Sequence, residues 1–175
     1  MQLYHKWDGL RREIAEYCKQ NGIDEKDFRF LNIYEWQNVY DKVLEHFVDP
    51  EYARGHGIYW ANTESGFQKH LSRIYAFQEG VENNVGYEWI ERFPKIVSCE
   101  KVYLLLEEDR PPVKYWAAEC SSSVVHLIIN EASSAADYYI TDKKFNWIIT
   151  ENHHDVVLFI GKGLDADIIK SICSK

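Results

Sequence analysis

The sequence predicts an α+β protein: an antiparallel five-stranded sheet with helices packed on one face, preceded by a helical N-terminal half. Three observations predict it. Apolar residues recur at helical spacing through residues 1–95. After residue 100, short apolar runs alternate with turn residues. The links between the last three of these runs are too short for a parallel crossover, so those strands must be antiparallel neighbours. A chain of 175 residues fits a single domain, 1–175, with residues 1–95 as a helical layer over the sheet.

In order along the chain, Leu10, Ile14, Tyr17 and Cys18 share one helical face, and Asn21-Gly22 stops that helix. A second helix runs from Asn32 to His46. Ile33, Trp36, Val39, Tyr40, Val43, Leu44 and Phe47 keep helical spacing, and Asn32 with Glu35 makes a capping box. Pro50, Gly55, Gly57 and Gly66 mark Asp49–Gly66 as loop, with a short strand at Ile58–Ala61. A third helix is predicted over Phe67–Gln78 and a short one over Tyr87–Phe93, separated by a loop at Gly80–Gly86. Residues 100–175 read β-β-α-β-β-β-α. The strands are Val102–Leu106, Val113–Ala118, Asp137–Thr141, Asn146–Thr150 and Val156–Ile160. The helices are Ser121–Ala132, capped by one of the serines, and Asp165–Cys173.

The formal charge is −8, from 28 acidic and 20 basic residues. Such a surface repels phosphate, which argues against nucleic acid and anionic membranes as partners and favours basic proteins. Cys18, Cys99, Cys120 and Cys173 form no CxxC pair and read as reduced thiols of a cytoplasmic protein. Met1–Gly22 carries no signal-peptide pattern, and no apolar run approaches a membrane span. Neither a metal nor a cofactor is predicted, and the expected state is a monomer or small homo-oligomer.

The densest polar cluster is Glu151, Asn152, His153, His154 and Asp155, between apolar runs Phe145–Thr150 and Val156–Ile160. Adjacent histidines project differently from a tight turn, which disfavours a shared metal. Two readings stand. One is a proton-transfer dyad, with His153 or His154 oriented by Glu151 or Asp155. The other is a polar turn whose Asn152 and Asp155 serve backbone geometry. Glu107, Glu108 and Asp109 read as a solvated acidic loop able to meet a cationic partner. Arg54-Gly55-His56-Gly57 reads as a flexible turn, with anion approach as the alternative. Ser121–Ser123, Cys120 and His126 lie in no nucleophile motif, so no residue is assigned as catalytic. Aromatics of the helical half, among them Tyr34, Trp36, Tyr40, Tyr59 and Trp60, interleave with Glu35, Asp41, Glu45 and Glu64, the composition of a protein-binding face.

The stretch Asp137-Tyr138-Tyr139-Ile140, Asp142-Lys143-Lys144, Asn146-Trp147-Ile148-Ile149 and Glu151-Asn152-His153-His154-Asp155 resembles small bacterial cytoplasmic proteins. That group is similar to the immunity-type proteins of polymorphic toxin and contact-dependent growth inhibition systems. The resemblance covers about residues 100–161. It implies a protein that neutralises a cognate toxin domain, a basic nuclease in the expected case, by occluding its active site. Glu107, Glu108, Asp109, Glu151, His153, His154 and Asp155 are the expected contacts. The alternative is a small hydrolase or transferase working through the His153-His154 turn.

Overall fold

The computed structural model describes residues 9–59, 61–62, 66–79, 87–108, 114–132 and 135–173. In chain order its elements are α1 (Gly9–Asn21), β1 (Phe28–Phe30), α2 (Ile33–Phe47), α3 (Pro50–His56) and β2 (Arg73–Gln78). A 3-10 turn at Tyr87–Arg92 leads into α4 (Phe93–Ile96). Then come β3 (Lys101–Glu108), β4 (Lys114–Ser121), α5 (Val125–Glu131), β5 (Ala135–Asp142), β6 (Trp147–Glu151), β7 (Val156–Gly161) and α6 (Ala166–Cys173). The strands form one antiparallel sheet in the order β1-β4-β3-β5-β6-β7-β2.

The predicted β-β-α-β-β-β-α order is present in the C-terminal half, but the sheet has seven strands, not five. Both extra strands come from the first half and occupy the two edges. One of them, β2, stands where a helix was expected. Tyr75 and Phe77 point to one face at a period of two and pack on Phe159 of β7, and that cross-strand contact overrides the helical spacing. Of the expected strand at Ile58–Ala61, Ile58, Tyr59 and Ala61 are instead turn, with Tyr59 N–H bonded to the His56 carbonyl and Ala61 N–H to that of Ile58; residue 60 lies outside the described residues.

Helices lie on both faces of the sheet, not on one. Leu10 and Ile14 of α1, Phe93 of α4, Ile128 of α5 and Ile169 of α6 pack with Leu104, Leu106, Ile140, Ile149 and Phe159. Val39, Val43 and Phe47 of α2 pack on the opposite face with Leu105, Tyr139, Ile148, Leu158 and Ile160. Neighbouring residues of a strand point to opposite faces, so the unbroken run Leu104-Leu105-Leu106 feeds two cores.

Local signals fixed the first two helices well. Asn32 Oδ1 accepts the N–H groups of Tyr34 and Glu35, while the Glu35 carboxylate accepts from Asn32 N–H at 3.0 Å. Gly22 follows α1 at φ 67°, a left-handed conformation that costs glycine nothing. The serines do not cap α5. Its cap position is Val124, which makes no side-chain bond, and Ser121 Oγ instead donates to Asp27 at 3.0 Å. The cysteines are free, and burial pushes the Cys120 thiol well above its ordinary range. Among the described residues no helix is long and apolar enough to cross a membrane.

Candidate functional site

Strand register decides which predicted residues meet. Glu108 lies opposite Ala135, Tyr138 opposite Glu151, Glu151 opposite Val157, and Gln78 opposite Val156. The last residues of β3, β6 and β2 therefore share one end of the sheet with the first residues of β5 and β7. Glu107, Glu108, Asp137, Glu151 and Asp155 all gather there, divided between the two faces by the pleat.

Glu107 and Glu108 are not in a solvated loop. They are the last two residues of β3 and each is only 1% exposed. Strand β4 sets an aromatic donor against each carboxylate. Tyr115 Oη donates to Glu107 at 2.6 Å, and Trp116 Nε1 donates to Glu108 at 2.8 Å. Such donors replace the water that burial removes and let the strand run two residues past its apolar stretch. Neither carboxylate is placed to touch a partner. Asp109 lies outside the described residues.

The Glu151–Asp155 segment is a tight turn between β6 and β7. Asn152 Oδ1 accepts the N–H groups of His154 and Val156 at 3.0 and 3.1 Å, and Asp155 takes φ 58°. The two histidine rings lie with their centroids 4.2 Å apart, tilted by 47°. Their fates differ. His153 lines a cavity of about 520 Å³ with Tyr138, Glu151, Asp155, Leu106 and Ile129, and His154 does not. The carboxylate against the His153 ring is neither Glu151 nor Asp155, the two the sequence offered. It is Asp137, whose Oδ1 lies 2.9 Å from His153 Nδ1 and accepts the His153 backbone N–H at 3.0 Å. Asp137 is fully buried, and its second oxygen has no partner among the described residues. Sequence reading missed Asp137. The hairpin register that pairs Tyr138 with Glu151 sets Asp137 beside Asn152, and that pairing was the available signal.

Glu151 accepts a hydrogen bond from Tyr138 Oη. Burial pushes the Glu151 carboxyl up to about 7, and the nearby charges of Asp155 and Asp137 add to the rise, against the opposing Tyr138 bond. Burial also drives the Tyr138 phenol well above its ordinary value, so it remains a donor. Among the described residues no group of three or more His, Cys, Asp or Glu could hold a metal ion.

A second concavity, about 740 Å³, opens beyond Phe30 at the end of β1, beside Tyr115, Trp116 and Ala117 of β4. Phe30, Trp36, Tyr40, Tyr59, Tyr115 and Trp116 supply its aromatic walls. Trp36 stacks on Tyr40 at 5.2 Å and 11°, and its Nε1 donates to the Tyr115 carbonyl at 2.9 Å. The Arg54–Gly57 segment is helical rather than a flexible turn: Arg54, Gly55 and His56 end α3 and Gly57 caps it, with Gly55 and His56 on the groove wall. Gly57 adopts φ 62°, and a Cβ there would meet Tyr40 Oη at 2.4 Å, so no side chain fits. Ile33, which also lines the groove, and Tyr34 next to it are 68% and 85% exposed. Trp60 and Glu64, expected on this face, lie outside the described residues.

Fold and sites define an α+β protein with an open antiparallel sheet, a buried acidic sheet end and an aromatic groove. The chain belongs to the DUF6756 family, a family of unknown function, whose model matches residues 6–171. No curated protein and no solved structure matches it.

Proposed function

We propose that this is an immunity-type binding protein that neutralises a cognate, basic bacterial toxin domain by covering its active site. The observation that carries the reading is the pair Ile33 and Tyr34, large apolar side chains left open at the start of α2. They lead onto a helix face bearing exposed Gln37, Asn38, Asp41 and Glu45. An exposed tyrosine beside an aromatic groove has the character of a binding hot spot, and acidic neighbours attract a basic partner. The formal charge of −8 and the resemblance of residues 100–161 to immunity-type proteins support the same reading. The contact surface shifts accordingly, from the Glu107–Asp109 region to α2. Co-purification with the product of the gene immediately upstream is expected to give a stoichiometric complex. Tyr34→Ser is expected to weaken that complex about thirtyfold, the loss of roughly 2 kcal/mol typical of a hot spot. A toxin that kills equally with and without this protein would sink the proposal.

One observation favours a second reading, a small hydrolase or transferase. His153 is held by buried Asp137 and faces a cavity with Glu151, the arrangement of a general base with its orienting carboxylate. On this reading Asp137→Asn and His153→Ala abolish the same turnover while far-UV circular dichroism stays unchanged. Turnover that survives His153→Ala removes the enzyme reading.

A further inference from the structure

We propose that the groove between α2, α3 and the outer edge of β4 binds a small planar aromatic ring carrying an anionic group, a nucleotide or an aromatic carboxylate. This goes beyond the binding role of the exposed α2 face and rests on different residues.

The walls supply ring surface. Trp36 and Tyr40 form a parallel stack fixed from behind by the Trp36 Nε1 bond to Tyr115, so the indole plane is set before any ligand arrives. Phe30 and Trp116 form a second aromatic pair, edge to face at 6.4 Å. Flat walls held in place favour a flat ligand, because stacking needs no rearrangement and accepts any π-face.

The charges lining the groove have the opposite sign to the chain as a whole. The lining includes Arg11 and His56 and no Asp or Glu. The Arg11 guanidinium lies over the Phe30 and Trp116 rings at 5.2 and 5.6 Å. No described carboxylate pairs with it, so its edge N–H groups are open to a ligand anion. Glu35, in the first turn of α2, is already held by Arg29 through two bonds of 3.0 Å. Asn32 Oδ1 already accepts the N–H groups of Tyr34 and Glu35, which leaves the guanidinium of Arg11 to meet the anion, with His56 beside it as a further hydrogen-bonding side chain. Gly55 presents open space where a side chain would project. The net negative charge repels phosphate at long range, and the nearby carboxylates are engaged, Glu35 by Arg29 and Glu107 and Glu108 by Tyr115 and Trp116, so the charged side chain on the groove wall itself is Arg11.

The test is titration of the full chain with AMP, adenosine, inorganic phosphate and indole-3-acetate, read by tryptophan fluorescence and calorimetry. AMP is expected to saturate and to bind about tenfold tighter than adenosine, the contribution of one charge-assisted contact. Arg11 is exposed, so Arg11→Gln is expected to fold normally and to lower AMP to the level of adenosine. Saturation by AMP alone supports the proposal and assigns a nucleotide. Matching saturation by indole-3-acetate supports it and assigns the wider class of aromatic anions. Equal binding of AMP and adenosine, phosphate binding as well as AMP, an unaffected Arg11→Gln variant, or no saturation by any ring anion would each overturn it.

Discussion

Replacing Glu151 by Gln is expected to stabilise the fold by about 3 kcal/mol at pH 8 and by close to nothing at pH 4. The carboxyl is mostly buried against Tyr138 and faces the charges of Asp155 and Asp137, and its folded value of about 7 stands above the ordinary 4.5. The folded state therefore holds a proton that the unfolded chain has already released between those two values. Stability from this group is complete below about 4.5 and is lost as pH rises through about 7. Glutamine keeps an oxygen for the Tyr138 hydroxyl and never ionises, so the variant escapes the loss. The check is denaturant unfolding of both proteins at the two pH values, in which other titrating groups cancel in the difference. An identical difference at both pH values would rule out ionisation of Glu151 as the cause. The native glutamate keeps a destabilising charge at neutral pH, and a group that destabilises its own fold beside a His-lined cavity is a reason to look for function there.

What the sequence made legible follows from how local each signal is. Asn32 with Glu35, and Gly22 after Cys18, act within one turn of chain, and both helix ends stand where they were expected. The hairpins β3-β4, β5-β6 and β6-β7 are also near neighbours in sequence and were legible. The errors came from partners far away in the chain. Arg73–Gln78 is a strand because β7 lies beside it, and Phe28–Phe30 because β4 does. Neither pairing leaves a local trace. The placement of helices on one face was avoidable. Val102–Leu106 and Trp147–Thr150 do not alternate apolar with polar, and a strand apolar on both sides needs cover on both sides. At the site, the turn was found because its polar residues are contiguous. Asp137 was missed because its histidine lies 16 residues further on. Glu107 and Glu108 were misplaced because charge suggested solvent, whereas Tyr115 and Trp116 across the hairpin satisfy them in the interior.

Phe159→Ala is expected to cost about 3–5 kcal/mol, the range for removing a buried phenylalanine and leaving a cavity. Phe159 is 0% exposed in β7, and its ring meets Tyr75 at 6.3 Å, Phe77 at 6.2 Å and Trp89 at 5.6 Å. Trp89 and the two β2 aromatics converge on this one side chain, so no neighbour is placed to fill the space. The loss should be uneven across the sheet. Within the sheet the described residues of β2 pair with β7 alone, while β3 is flanked by β4 and β5. Hydrogen exchange should therefore show β2 amides losing protection before those of β3. The effect should also reach the site: Glu79, next after β2, donates its N–H to the Asp155 carbonyl at 2.9 Å, and Gln78 Nε2 donates to that of His154 at 3.2 Å. Loosened β2 frees that turn, and the His153 cavity loses the strand that steadies it. A cost below 1 kcal/mol, or equal loss of protection in β2 and β3, would show that the aromatic cluster does not anchor the edge.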